Sequence, residues 1–103
     1  MARTIRKVIA YITQKRRLLV FSHPYATEAG IQAPGGTLLS GEAPEAGALR
    51  EAREETGLDA LRVVAFLGMR EFDCRPYGRD ELHLRYFYHL ECLQPTPDRW
   101  RHD

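Results

Sequence analysis

The sequence predicts a small α+β domain in which a β-sheet packs against one principal helix, and three observations lead there. Runs rich in β-branched and aromatic residues, at 4–12 (TIRKVIAYI), 18–21 (LLVF), 61–72 (LRVVAFLGMREF) and 82–90 (LHLRYFYHL), flank a single helical stretch. That stretch carries its own punctuation: Pro44 suits the first turn, where a missing N–H has no intrahelical partner, and Gly57 suits the residue just past the end. A helix over about 44–56 follows. At 103 residues, with no repeat, low-complexity tract or linker, the chain reads as one domain over 1–103, burying roughly two thirds of its unfolded surface.

Taken in order, residues 4–12 and 18–21 form a hairpin across the polar connection Gln14-Lys15-Arg16. Residues 22–30 (SHPYATEAG) are a surface loop, where His23 and Tyr25 are placed to touch a ligand. Residues 31–33 are a short strand, and Pro34-Gly35-Gly36 turns the chain toward the helix. Within the helix, Ala46, Leu49, Ala52 and Thr56 are expected on the core side. Gly47 costs about 1 kcal/mol relative to alanine there, which points to close packing. Pro76 and Gly78 mark the turn between the last two strands, a hairpin whose tip carries Arg75, Tyr77 and Arg79. Guanidinium groups pair bidentately with phosphate and a tyrosine ring stacks on a base, so these three are the candidate substrate-binding residues. His83, Arg85 and His89 share one sheet face; the two histidines lack a third ligand of matching spacing, which argues against zinc. The tail from Glu91 has two prolines and no periodicity.

Charge excludes some partners. Fifteen basic and fourteen acidic residues give a net charge of +1, so no global field argues for nucleic acid or a membrane surface. No apolar run approaches the ~20 residues that span a bilayer. The basic start MARTIRKVIAYI lacks acids, as transit peptides do, but its apolar positions suit a strand. Cys74 and Cys92 have no metal-ligand spacing and read as reduced thiols, so a cytoplasmic setting is expected.

The chemistry concentrates on the helix. At about 100° per residue, Glu51, Glu54 and Glu55 fall within one third of the circumference. Like charges at i,i+4 repel, and Arg50 alone cannot neutralise three acids. Carboxylate oxygens are what Mg2+ or Mn2+ takes, with phosphate oxygens and water completing the shell. Glu51, Glu54 and Glu55 are therefore candidate metal ligands.

A longer pattern runs from Gly36: glycine, five residues, Glu42, seven residues, then Arg50-Glu51-Ala52-x-Glu54-Glu55-x-Gly57-Leu58. Seven fixed identities at roughly 5 to 7% each coincide by chance less than about once in a million. The stretch resembles the Nudix box of the Nudix hydrolases, with every specified position filled, and the preceding GIQAPGG is similar to the family's strand and turn. The resemblance is strong over 30–58 and weaker over the flanking strands. It implies a mixed sheet packed against the box helix, the carbonyl of Gly35 as a further metal ligand, and Mg2+ or Mn2+ as cofactor. It also implies hydrolysis of a diphosphate linkage in a nucleoside diphosphate derivative by water attack on phosphorus. Arg50 and Glu42 are expected to orient the ligands, while the general base stays open among the box acids, Glu71 and Glu81. The substrate is a small nucleotide of open identity.

The resemblance leads to the expectation that the family's further strand and closing helix are missing after the last strand. A non-catalytic binding module that keeps the box in a shortened chain is therefore the alternative function, and a structural fragment pairing with another copy is a third. The same feature predicts an open apolar face and a homodimer, with Trp100 and residues 82–90 near the contact.

Overall fold

The computed structural model describes residues 2–22, 31–97 and 100; His23 and Tyr25 lie outside the described residues. Among the described residues, seven strands and one α-helix follow in the order β1 (Arg3–Gln14), β2 (Arg17–Leu19), β3 (Phe21–Ser22), β4 (Ile31–Gln32), β5 (Gly35–Thr37), α1 (Pro44–Thr56), β6 (Leu61–Asp73) and β7 (Glu81–Cys92). The main sheet runs β2-β1-β7-β6, and β5 pairs with β1 further along the edge that β2 also uses. It is mixed, since β1 and β7 are parallel from Arg3↔Glu81 to Thr13↔Glu91 and the other pairings are antiparallel. β3 and β4 form a separate two-stranded ladder.

Alternation along β1 and β7 sorts the two faces. Val8, Ala10 and Ile12 of β1 and Tyr88, Leu90 and Cys92 of β7 are buried and meet Ala48 and Ala52 of α1 in one cluster with Leu19, Leu38, Leu58 and Leu61. Val8, Ile12 and Leu90 are wholly buried, each contributing roughly 2 kcal/mol from the water it leaves. The opposite face holds odd-numbered residues: Tyr11 stacks on Phe87 with ring centroids 6.4 Å apart, and Thr13 Oγ1 lies 2.7 Å from His89 Nε2.

The helix bounds agree with the local signals. Ala43 caps the start in extended backbone without a side-chain bond, Pro44 follows, and Gly57 ends it at φ 75°, its N–H donating to Arg53 O. The buried residues are Gly47, Ala48, Ala52 and Thr56. Ala46, expected inside, is exposed, because alanine pulls weakly toward either side and the sheet lies nearer the azimuth of Ala48. The reading of Gly47 as a close-packing position holds: the Leu38 side chain occupies the space a Cβ would need. The indole N–H of Trp100 donates to Thr56 O (2.9 Å) at the helix end, and Gln94 Oε1 accepts the N–H groups of Asp59 and Ala60 (2.9 Å each).

One expectation is corrected by the strand order. Residues 82–90 are expected near a contact between copies, but β7 is flanked by β1 and β6 and offers no free strand edge for one. The edge beside β7 is β6, which leaves Val64, Phe66, Leu67 and Met69 exposed beside register shifts at Val63/Ala65 and Phe66/Gly68. Chain order misled here because the last strand is inserted between the first and the one before it.

Candidate active site

The site forms where α1 meets the outer edge of β5. Ala10 N–H donates to Pro34 O and Leu38 N–H to Arg6 O, both at 2.8 Å, so positions 34, 36 and 38 turn their backbone groups toward β1. In an antiparallel ladder the intervening residues then face away. Gly35 and Thr37 accordingly present their N–H and C=O groups to the helix side. Three consecutive β5 residues each receive one α1 side chain. Gly35 N–H donates to Glu55 Oε2 (2.9 Å), the Glu51 carboxylate lies against Gly36 in the space of a side chain, and Arg50 Nη2 donates to Thr37 O (3.3 Å). Any Cβ at position 36 would displace Glu51, which is the physical need for glycine there.

Arg50 is the hub. Its Nε and Nη2 donate to the two oxygens of Glu42 (2.8 and 2.9 Å), and Nη1 donates to Glu51 Oε1 (2.8 Å) and, at 3.4 Å, to Glu54. Glu42 is fixed from two further sides: its Oε1 accepts Leu39 N–H (3.0 Å) and its backbone carbonyl accepts Arg6 Nη2 (2.9 Å). These contacts, led by the Arg50 hydrogen bonds, pull the Glu42 carboxyl down to about 2, and the same pair raises the guanidinium of Arg50. Glu42 thus stays an anion that locks the Arg50 rotamer, and Arg50 aims Glu51. Glu51 and Glu42 are each 13% exposed, whereas Glu54 is 58% exposed and faces solvent.

The predicted metal residues Gly35, Glu51, Glu54 and Glu55 therefore share one corner with Arg50 and Glu42. The donor chemistry suits a hard divalent cation: carboxylate oxygens of graded exposure and a backbone carbonyl on the outward side of β5. Among the described residues, one guanidinium is shared by Glu42, Glu51 and Glu54, so carboxylates outnumber cations there.

The predicted substrate-binding residues lie elsewhere. Arg75, Tyr77 and Arg79 sit on and after a 3-10 turn (Arg75–Tyr77) beyond the Arg3 end of β1, whereas Gly36 pairs with Val8. Five residues of strand separate those levels, roughly 15 Å. Their groups are also engaged. Arg75 pairs bidentately with Asp73 (2.9 and 2.8 Å), the Tyr77 ring stacks on Phe72 with centroids 5.9 Å apart, and Arg79 lies 3.3 Å from Glu81. The Asp73 carboxyl is held below its usual range by Arg75. Of the two downstream base candidates, Glu71 is exposed on β6 and Glu81 is held at the base of this tip by His83, Arg3 and Arg79.

Sequence reasoning missed one group. Cys74, Glu81 and His83 bring one ligand atom each to within 4.8 Å of one another. The argument against a cation at His83 assumed that no third ligand stood near, and the hairpin supplies it: Cys74 N–H donates to Glu81 O (2.9 Å). Pairing the two strands across Pro76 and Gly78 is the signal that finds it.

The chain matches the NUDIX domain family over residues 3–102. It belongs to that family. A NUDIX hydrolase from Nitrosomonas europaea superposes with a TM-score of 0.73 at 26% identity, covering 94% of this chain and 64% of that one. A UDP-X diphosphatase superposes with a TM-score of 0.68 at 20% identity, covering 96% of this chain and 47% of that one. A MutT protein from Methanosarcina mazei Go1 superposes with a TM-score of 0.65 at 23% identity, over 94% and 68% of the respective chains. The latter two likenesses are of fold alone. The chain spans less than two thirds of the length of the first two structures, and no curated protein matches it. Among the described residues, no helix of this Nudix chain is long and apolar enough to cross a membrane.

Proposed function

We propose that the chain is a metal-dependent hydrolase that cleaves a diphosphate linkage in a nucleoside diphosphate derivative by water attack on phosphorus. The observation that carries this reading is the convergence of Glu51, Glu54 and Glu55 with the outward-facing Gly35 on one edge, oriented by the Glu42–Arg50 pair. Glu51, Glu54, Glu55 and the Gly35 carbonyl would hold Mg2+ or Mn2+, which when bound neutralises diphosphate oxygens and acidifies a water. Arg50 and Glu42 are positioning residues that hold Glu51 against Gly36, and one of the box carboxylates takes up the proton of the attacking water. Arg75, Tyr77 and Arg79 are proposed as contacts for the distal part of an extended substrate, reached only if the Asp73 and Glu81 pairings open. The partner is a small nucleotide, in a cytoplasmic setting supported by two unbridged cysteines. A second copy of the chain is the proposed assembly partner, supported by the exposed apolar residues of the β6 edge.

The test is a panel of ADP-ribose, dinucleoside polyphosphates, oxidised nucleoside triphosphates and sugar nucleotides, incubated with the purified chain and Mg2+ or Mn2+. Release of phosphate monoesters from at least one class, abolished by chelation, is expected. Cleavage of none of them with either ion sinks the enzyme reading and leaves a nucleotide-binding module.

A further inference from the structure

The hairpin base carries a second constellation on the sheet face opposite α1, separate from the carboxylate corner. Cys74 ends the approach from β6, and Glu81 and His83 stand two residues apart at the start of β7, so all three project from one side of the sheet. Cys74 is 5% and His83 6% exposed. The His83 ring lies with Nε2 3.0 Å from Glu81 Oε1, and its Nδ1 is buried with no hydrogen-bond partner among the described residues. Buried imidazole nitrogens are normally satisfied, and nothing in the hydrogen bonding of the hairpin accounts for this one.

The ligand types differ from those of the box. A thiol, an imidazole and one carboxylate are a borderline-soft set, which favours zinc over magnesium. Tetrahedral zinc with bonds of about 2.0–2.3 Å places its ligands roughly 3.5 Å apart; His83 Nε2 and Glu81 Oε1 already lie 3.0 Å apart, and atoms that all lie within 4.8 Å of one another need close by no more than about 1 Å. The surroundings permit that: Arg3 and Arg79, which lie 3.3 Å from Glu81, are 75% and 65% exposed and can swing into solvent. We propose that Cys74, Glu81 and His83 form a site for a zinc-like divalent cation, with water or an exogenous ligand in the fourth position. Binding replaces the thiol proton of Cys74, which leaves to solvent. The cation would cross-link the end of β6 to the start of β7 and so fix the turn that carries Arg75, Tyr77 and Arg79.

Co2+ is the probe, titrated into the full chain under reducing conditions. One equivalent is expected to give the near-ultraviolet charge-transfer band of a thiolate–Co2+ bond, bleached by one equivalent of Zn2+. Cys74→Ser is expected to remove the band and weaken Zn2+ binding by about 100-fold or more, beyond the 10–100-fold typical of groups outside the ligand set. Cys92→Ser and Glu54→Gln are expected to leave it intact. Absence of the band in the wild-type chain, which requires no variant to fold, overturns the proposal, as does its persistence in Cys74→Ser or its loss in Cys92→Ser alone.

Discussion

The corner between α1 and β5 and the tip of the β6–β7 hairpin both gather arginines and acids, but the chain treats the two collections differently. At the corner, partners come from far apart: Glu55 reaches Gly35 across twenty residues and Arg50 reaches Glu42 across eight. At the tip, Arg75 closes on Asp73 two residues away and Arg79 on Glu81. The corner keeps more carboxylates than cations, whereas the tip matches Asp73 and Glu81 with Arg75, Arg79 and Arg3. Tertiary structure that gathers more carboxylates than cations among the described residues calls for a cation; pairing that cancels charge, as Arg75 does with Asp73 and Arg79 with Glu81, leaves the arginines of the turn little to offer a phosphate. The corner is the better candidate for chemistry, although guanidinium groups at the tip looked the more direct phosphate readers.

Substitutions can break that contrast. The largest effect is expected from Glu54→Gln, which should lower kcat by about 10²–10⁴ with the fold intact, read by steady-state assay alongside circular dichroism. Next comes Gly36→Ala. The nearest atoms to the new Cβ are the far end of the Glu51 side chain, so stability should change by under about 1 kcal/mol. Activity should fall about 100-fold because a ligand is misplaced. Gly47→Ala is the counterpart, driving into Leu38. It should cost about 1 kcal/mol after the gain in helix propensity and, since the Glu42 carboxylate lies 3.0 Å from the new Cβ, lower kcat by much less than Gly36→Ala does. An inverted pattern, with Gly36→Ala unfolding and Gly47→Ala inactive, would break the assignment of the corner.

Acid titration sharpens the comparison further. The Glu42 carboxyl is lowered from 4.5 to about 2 in the folded chain, first by Arg50. A depressed carboxyl stabilises above its unfolded value, and that stabilisation is lost as pH falls from about 4.5 toward 2. Thermal melts of Glu42→Gln should therefore start lower at neutral pH and decline less steeply across that window. The smallest effect is expected at the tip: Arg75→Ala or Arg79→Ala should raise KM a few-fold and leave kcat unchanged. A loss in kcat there would promote the tip to the reacting centre.

Features written in neighbouring residues were legible before the structure. Pro44 and Gly57 bound α1 because caps act within one turn, and Gly47 announced its contact by defying helix propensity. The box acids were legible because helical spacing alone puts them on one side. What escaped depended on register and strand order. Ala46 faces solvent because an alanine cannot fix a helix azimuth that the sheet decides. β7 is interior rather than an edge because it inserts beside β1. Cys74 meets His83 only once β6 and β7 are aligned. The seating of Glu51 on Gly36 also follows from the antiparallel alternation of β5 against β1, which no spacing in the sequence displays.

The central claim is that the α1–β5 corner is a divalent-cation site, and the most direct test is the Mg2+ dependence of Tm in the wild-type chain and in the Glu54→Gln, Glu55→Gln double variant. Binding to the folded state alone stabilises by about 2.7 kcal/mol at a hundred times Kd, on the order of 10 °C for a domain of this size. The account predicts that rise in the wild type and its absence in a folded double variant. An equal rise in both, or none in the wild type at millimolar Mg2+, would contradict it.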